Sequence, residues 1–487
     1  MTDWRFYGRR LEQEQLASIL ERGRWFFVQI TGRRRIGKTT LVQNALSRSG
    51  RQSVFYVQIP DSGDAGVLSA VGDALDTFQV PADRFPRPHT LSDLAKLIEA
   101  MTRAGYVVVL DEFQYFNRKA FTEFCSLLQA AVDRLTADAR RVKGGLIVLG
   151  SIHTEMTALL EDRSAPLYNR VTDAIELTHL DLGSVLAILR EHTDASPERL
   201  LLLWTLFEGV PKYYRDCFEQ QVLNAGRRTL LRRIFFESSS PLRTEAENWF
   251  LRELRGRYDT VLKFVARHPG KTHGELANAI REASGENTDQ IGGYLKILTD
   301  RYRLIERKLP VFADKKERRG RYYVTDNFLQ AWLAALANSV AAREFRPIEH
   351  LVAEADDKLA GVEGAGLEKM VGELYEERSR KSLGDFPLSS RITGYWKNDT
   401  EIDIVAVNKP DRVLRFGSCK RSPSKLLSDI NNFRGHVSRF LNAFPKYKVW
   451  KIEYVGVSPR LSEDEREVLR RHDVLAQDLH DLTRDLE

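Results

Sequence analysis

The chain has 487 residues, with 74 Lys+Arg against 68 Asp+Glu, a formal +6. At 43% hydrophobic and 29% charged it has an ordinary globular composition, which excludes wholesale disorder and collagen-like repeats, and its length points to about three domains. No apolar run nears the roughly 18 residues of a membrane span. No basic stretch followed by an apolar core opens the chain, and three scattered cysteines without CxxC spacing point to a reducing, cytoplasmic setting.

Residues 26–30 (FFVQI) have the continuous apolar character of a buried parallel strand. The segment Thr31-Gly32-Arg33-Arg34-Arg35-Ile36-Gly37-Lys38-Thr39-Thr40 follows, and then LVQNAL with helical character. This is G-x-x-x-x-G-K-[ST] in a strand–loop–helix setting. Glycines let the backbone wrap a phosphate, and amides at the helix N-terminus supply donors and positive potential. Lys38 is expected to reach the β/γ-phosphates of ATP or ADP, and Thr39 to ligate Mg²⁺.

Residues 106–110 (YVVVL) predict another buried strand, ending in Asp111-Glu112. There Asp111 is expected to hold Mg²⁺ and Glu112 to orient or activate the attacking water. A third strand over 145–149 ends at Gly150-Ser151, which makes Ser151 a candidate γ-phosphate sensor. Downstream, Arg170 in APLYNR is a candidate phosphate-facing or neighbour-facing guanidinium, with a plain surface ion pair as the alternative.

These motifs, together with Phe6-Tyr7-Gly8-Arg9-Arg10-Leu11-Glu12 and Phe207-Glu208-Gly209-Val210-Pro211-Lys212-Tyr213, resemble in order the series of archaeal-type AAA+/STAND ATPases. The resemblance covers about residues 4–220. It implies nucleotide contacts for Gly8 and Arg9 of the opening box and for Pro211 in a helical lid. Glu208 stands where that family usually has a second glycine.

From residue 244 the pattern changes. Residues 248–255 and 259–267 are helical, and Thr272 with Glu275 forms a capping signal for a helix over 273–280. A turn at Ser284-Gly285 leads to a third helix from about Asn287, with Ile291, Leu295 and Leu298 on its apolar face. Two strands, 304–307 and 321–325, are joined by a basic loop. Residues 301–322 carry nine Lys/Arg and three Asp/Glu, so the whole +6 lies there. Three helices and a basic hairpin make a winged helix-turn-helix pattern, in which Lys296, Lys315, Lys316, Arg318, Arg319 and Arg321 are the expected DNA contacts. Protein recognition by the same module is the alternative.

The C-terminal part has an amphipathic helix over 361–377 with Glu368, then EIDIVAV at 401–407 and VLRFGSCK at 413–420. The order resembles the restriction-endonuclease-like (DUF234-type) domain appended to the same ATPases. It implies nuclease-like roles for Glu368, Asp403 and Lys420. Ser418 replaces the acid of E-x-K, a feeble ligand for a hard dication, and Glu401 lies on the same strand face as Asp403. A binding-only domain and an active nuclease both stay open. The tail over 463–487 is charged and helical.

The expected fold is therefore α/β. An AAA+/STAND-like P-loop core spans 1–180, a helical lid 181–243, a winged helix-turn-helix 244–345 and a restriction-endonuclease-like α/β domain 346–487. The expected function is an ATPase, converting ATP and water to ADP and phosphate, that acts as a DNA-associated switch. An ATP-regulated metal-dependent nuclease and a STAND-type scaffold acting on a protein partner are the alternatives, with self-association open and no membrane partner.

Overall fold

The computed structural model describes residues 3–247, 251, 254, 258–284, 290–314, 317 and 319–486. Of the expected features, parts of the 248–255 helix, Gly285 of the turn, the helix start near Asn287, and the side chains of Lys315, Lys316 and Arg318 lie outside the described residues. The chain divides into two compact units, Gly8–His179 and Met1–Tyr7 with Leu180–Glu487.

In the first unit, β1 (Phe26–Gly32), β2 (Val54–Gln58), β3 (Val107–Asp111), β4 (Gly145–Gly150) and β5 (Asp173–Leu177) form a parallel sheet in the order β2-β3-β4-β1-β5. The apolar runs of β1, β3 and β4 are buried throughout, as strands sheltered on both faces require. Pairing of Ile30 with Leu149 and of Leu110 with Val148 brings the C-terminal ends of β1, β4 and β3 level. The phosphate loop, Ser151 and the Asp111-Glu112 pair thus emerge along one edge, where open parallel sheets bind ligands.

The second unit begins with helices Leu182–His192, Pro197–Phe207 and Pro211–Glu219. Asp181 caps the first through the Ser184 amide at 3.0 Å, and proline opens each of the others, where its missing N–H is harmless. A small module follows: helix Tyr258–Arg267, β6 (Lys271–Thr272), helices His273–Ser284 and Ile291–Asp300, then β7 (Ile305–Lys308) and β8 (Arg321–Val324). Its antiparallel sheet has the order β6-β8-β7. The Thr272–Glu275 capping box is present, with the Thr272 amide donating to the Glu275 carboxylate at 2.8 Å.

The expected 361–377 helix is only part of one 33-residue helix, Ile348–Arg380, which starts directly after Pro347. Leu351, Val352, Ala355, Leu359, Leu367, Met370, Val371 and Leu374 are buried along it. That spacing of three and four keeps one face packed and carries the helix through its glycines. Beyond it, β9 (Thr393–Lys397), β10 (Thr400–Asn408), β11 (Val413–Cys419), β12 (Lys451–Ser458) and β13 (Leu475–Asp478) form a sheet in the order β13-β12-β11-β10-β9. The tail is not simply helical. Helix Glu463–Arg471 stops at Asp473, which is in left-handed conformation, and the chain then adds β13 parallel to β12. All three cysteines are buried and unbridged. Among the described residues no helix is long and apolar enough to cross a membrane.

Candidate functional site

The phosphate loop joins β1 to helix Lys38–Arg48 through Gly32, Arg35 and Gly37, all at positive φ. Gly32 cannot be replaced: an added Cβ would lie 2.5 Å from the Leu177 carbonyl oxygen. Buried Ile36 anchors the loop, Arg33 lies 3.4 Å from His179, Arg34 and Thr40 are exposed, and Thr39 follows Lys38 on the first helical turn. Lys38 Nζ donates to the carbonyls of Gly32 at 2.8 Å and Arg33 at 3.0 Å. Burial lowers the Lys38 pKa to about 8 against the opposing pull of Glu112 and Asp111.

Gly8 and Arg9 both adopt positive φ, which turns the opening box toward this loop. Buried Arg9 donates to the Ile36 carbonyl at 3.3 Å and to the Thr178 carbonyl, and pairs with Glu12 at 3.2 Å. The box therefore braces the phosphate loop against the end of β5.

Asp111 is the hub of the site. Its Oδ2 accepts from the Thr39 hydroxyl at 2.7 Å and the Tyr56 hydroxyl at 2.8 Å, while Oδ1 accepts from the Glu112 amide at 2.8 Å. Burial and then Asp111 push the Tyr56 hydroxyl upward, which keeps it a donor. Glu112 sits in left-handed conformation at φ 56°, a strained state for a residue with a side chain. Its carboxylate accepts from Ser151 Oγ at 3.0 Å and from the Gln114 amide, and Gln114 Oε1 in turn accepts from the Ser151 amide at 3.3 Å. Ser151 thus touches the acid through a closed ring of three residues.

Arg170 is not in this cluster. It forms a two-pronged pair with Asp133 at 2.8 and 3.1 Å, the surface ion-pair alternative. Pro211 is the first residue of its helix in the second unit. Tyr56 had no motif to mark it, and Gln114, the last residue of the DEFQ run, had no role assigned to it. Tyr56 is a polar interruption in the short run VFYVQ, and Gln114 follows the acids directly.

A second cluster lies in the C-terminal sheet. Asp403 Oδ2 accepts from Lys420 Nζ at 2.9 Å and from the Cys419 amide at 2.8 Å. Burial works against the Lys420 ammonium, and Asp403 and Glu368 more than offset it. Glu368 reaches solvent, yet the protein around it and then Asp403 push its carboxyl up to about 8. Asp403, Glu401, Ser418 and Lys420 line a cavity of about 300 Å³ together with the helix residue His436.

The β7–β8 hairpin does not stand free. The Val311 amide donates to Gly394 at 2.9 Å, and Phe312 stacks on Tyr447 at 4.7 Å and lies against Phe440 and Phe444. Arg319 accepts the Trp396 indole N–H at its carbonyl, 2.8 Å, and pairs with Glu317; Arg321 pairs with Glu401 and lies 4.8 Å over the Trp396 ring. The basic loop expected as a wing is in this part docked, because apolar Val311 and Phe312 bury themselves in the C-terminal core. Lys296 is exposed on helix Ile291–Asp300.

Residues 6–216 match a family model described as an ATPase domain predominantly from Archaea. These residues are an archaeal-type ATPase domain. Residues 332–428 match a second model, described as archaeal and bacterial proteins of unknown function. An uncharacterized protein of Methanocaldococcus jannaschii, MJECL04, is 25% identical over 426 residues, covering 85% of this chain and 87% of that protein. Among solved structures, the Walker-type ATPase PABY2304 of Pyrococcus abyssi aligns at TM-score 0.51 and 16% identity, over 67% of this chain and 96% of that one. The ORC2 protein of Aeropyrum pernix, solved with ADPNP and ADP, aligns at TM-score 0.46 and 15% identity, over 72% and 94%. The Pyrococcus likeness is one of fold, and it agrees with the parallel-sheet core of the ATPase domain.

The lowered Lys38 pKa makes nucleotide affinity of the ATPase domain pH-dependent. Phosphate oxygens favour the ammonium, so binding above pH 8 takes up a proton that the free site has lost. Affinity for a non-hydrolysable ATP analogue should be flat below about pH 8 and fall toward tenfold per pH unit above it. Calorimetric titrations from pH 6.5 to 9.5, as roughly spaced settings, check this; a flat profile would contradict it.

Proposed function

We propose that the protein is a Mg²⁺-dependent ATP-hydrolysing switch associated with DNA, in which nucleotide state governs a winged-helix module and a nuclease-like C-terminal domain. The observation that carries ATP hydrolysis is Asp111, joined to the Thr39 hydroxyl at 2.7 Å and followed by Glu112, beside the phosphate loop. Thr39, Asp111 and Tyr56 offer only oxygen atoms, the donor set a hard dication takes, so Thr39 and Asp111 would hold Mg²⁺. When bound, that ion supplies charge neutralisation at the β- and γ-phosphates. Lys38 neutralises phosphate charge from the loop. Glu112 accepts the proton of the attacking water, and Gln114 and Ser151 fix the direction of its carboxylate. Arg9 keeps the loop closed from behind.

Within the second unit, one buried connection supports coupling of the lid to the rest. Glu208 follows helix Pro197–Phe207, is 4% exposed, and has φ 50° with ψ −127°. Its carboxylate accepts from the Asn327 amide at 3.0 Å and from Lys369 Nζ at 2.8 Å. Lys369 neighbours Glu368 of the C-terminal cluster and also donates to Asn327 at 2.9 Å. A shift of the helix before Pro211 is thereby passed to the end of β8 and to the long helix.

For DNA, backbone phosphates would compete with Glu317, Glu401 and Trp396 for Arg319 and Arg321, and Lys296 would add a phosphate contact. Neutralising Arg319 and Arg321 together should weaken DNA binding across sequences and reduce the salt slope by about two. Gel shifts over a salt series, run with ATP analogue and with ADP, check both effects; an unchanged slope would remove these residues from the interface. The nuclease reading is favoured by one observation, the Asp403–Lys420 pair beside Glu368. Plasmid nicking with Mn²⁺ that is lost in Asp403→Ala would establish it.

A further inference from the structure

The β7–β8 hairpin is basic in sequence, yet two of its guanidinium groups face protein. Arg321 has the Trp396 ring 4.8 Å from its guanidinium carbon, and the Glu401 carboxylate takes one of its N–H groups. Arg319 donates to Glu317 at 2.9 Å and to the Trp396 carbonyl at 3.4 Å. Its own carbonyl accepts the Trp396 indole N–H at 2.8 Å. The groups that a phosphate backbone would take are thus already engaged by the C-terminal sheet.

Two apolar residues hold the hairpin there, and the hold is of a reversible kind. The Val311 amide donates to the Gly394 carbonyl of β9 at 2.9 Å, and Phe312 fills a slot among Phe440, Phe444 and Tyr447. Phe312 has φ 61°, a left-handed state that a bulky side chain rarely adopts. The slot offsets that strain, and the strain is relieved when the ring leaves. The Arg321–Glu401 pair is weak too, because 58% of the glutamate side chain is exposed and salt screens such pairs. A phosphate backbone, with its dense charge, competes well against one carboxylate. The hairpin is also mechanically linked to the second unit's first helices. The Thr325 carbonyl, just after β8, accepts from Lys369 Nζ at 3.0 Å, and Lys369 pairs with Glu208 after helix Pro197–Phe207. A displacement at Glu208 therefore acts on the strand that carries Arg321.

We infer that the docked hairpin is an autoinhibitory clasp, in which Phe312, Trp396 and Glu401 hold Arg319 and Arg321 on the C-terminal sheet and DNA binds once the hairpin lets go. The inference rests on the DNA reading of the winged-helix module and adds what keeps that module closed. Closed molecules do not bind, so the clasp lowers the apparent DNA affinity by the fraction of molecules that are open.

The test uses the full chain, a fluorescent duplex DNA of mixed sequence, and hydrogen exchange at the peptide that contains Val311. Phe312→Ala removes the ring and no charge. It should bind the duplex about tenfold more tightly, as when roughly one wild-type molecule in ten is open. Phe312→Tyr keeps the ring and should stay close to wild type. Glu401→Gln frees Arg321 at an exposed position where the fold is not at risk, and it should also tighten binding. Asp399→Asn removes the same charge two residues away and should tighten binding less. In wild type the Val311 amide should exchange slowly alone and faster once DNA is added, whereas Phe312→Ala should be fast in both states. The wild-type exchange decides the matter even where Phe312→Ala disturbs the C-terminal core. DNA bound to wild type with Val311 still protected would overturn the inference. So would Glu401→Gln binding no more tightly than Asp399→Asn. DNA binding by neither wild type nor the opened variants would overturn the DNA reading itself, and the clasp with it.

Discussion

Glu112→Gln should lower ATP turnover by about 10²- to 10⁴-fold while leaving nucleotide binding nearly intact. The amide keeps the shape and can still meet Ser151 and Gln114, but it cannot take a proton from water. Lys38→Ala differs, because it removes the ammonium that neutralises phosphate and should abolish binding as well as turnover. Steady-state turnover beside direct binding of a fluorescent ATP analogue separates the two. Equal turnover in Glu112→Gln and wild type would remove Glu112 from the chemistry and leave the ring it forms with Ser151 and Gln114 as a structural device.

Glu208→Gln should destabilise the second unit by about 3–5 kcal/mol, the usual effect of leaving one partner of a buried ion pair unmatched. Lys369 would face Thr325, Asn327 and a neutral amide in place of a carboxylate. Burial works against the Lys369 ammonium, and Glu208 outweighs it. Glu208→Gly gives a second outcome: it also loses the pair but relieves the strained φ 50° backbone, so it should be the less damaging of the two. Urea unfolding of the full chain, monitored by tryptophan fluorescence, checks the order. Loss of stability in neither variant would mean that Lys369 is satisfied by its other partners.

Glu208 also illustrates what was legible and what was not. From sequence it was a departure from a family glycine, and its backbone indeed lies where glycine is favoured. Its purpose depends on Asn327 and Lys369, more than a hundred residues away, which no local pattern announces. The phosphate loop and the acids after β3 were readable because each is a continuous apolar run ending in a fixed motif. Strands β2 and β5 were not, since VFYVQ and DAIEL are short, half-buried edge strands with polar residues between apolar ones. Tyr56 was hidden with its strand.

The start of the long helix is hidden in the sequence for a related reason. Glycines 361, 364 and 366 resemble a start, while the actual start after Pro347 has no side-chain cap. The basic loop was found by its charge, but charge concealed Val311 and Phe312, the two apolar residues that dock the hairpin onto the C-terminal core. His436 lay unmarked because its spacing on helix Ile430–Ala443 is that of a core residue. Its ring is held by the Glu401 amide of β10, which donates to Nδ1.

In the proposed switch, ATP hydrolysis in the archaeal-type ATPase domain is coupled to DNA held by the rest of the chain. The most direct measurement is steady-state ATP turnover of the full chain with and without duplex DNA, at low and high salt. DNA should change the turnover rate of wild type, high salt should remove the change, and neutralising Arg319 and Arg321 should weaken it. A turnover rate indifferent to DNA at every salt concentration would contradict the coupling.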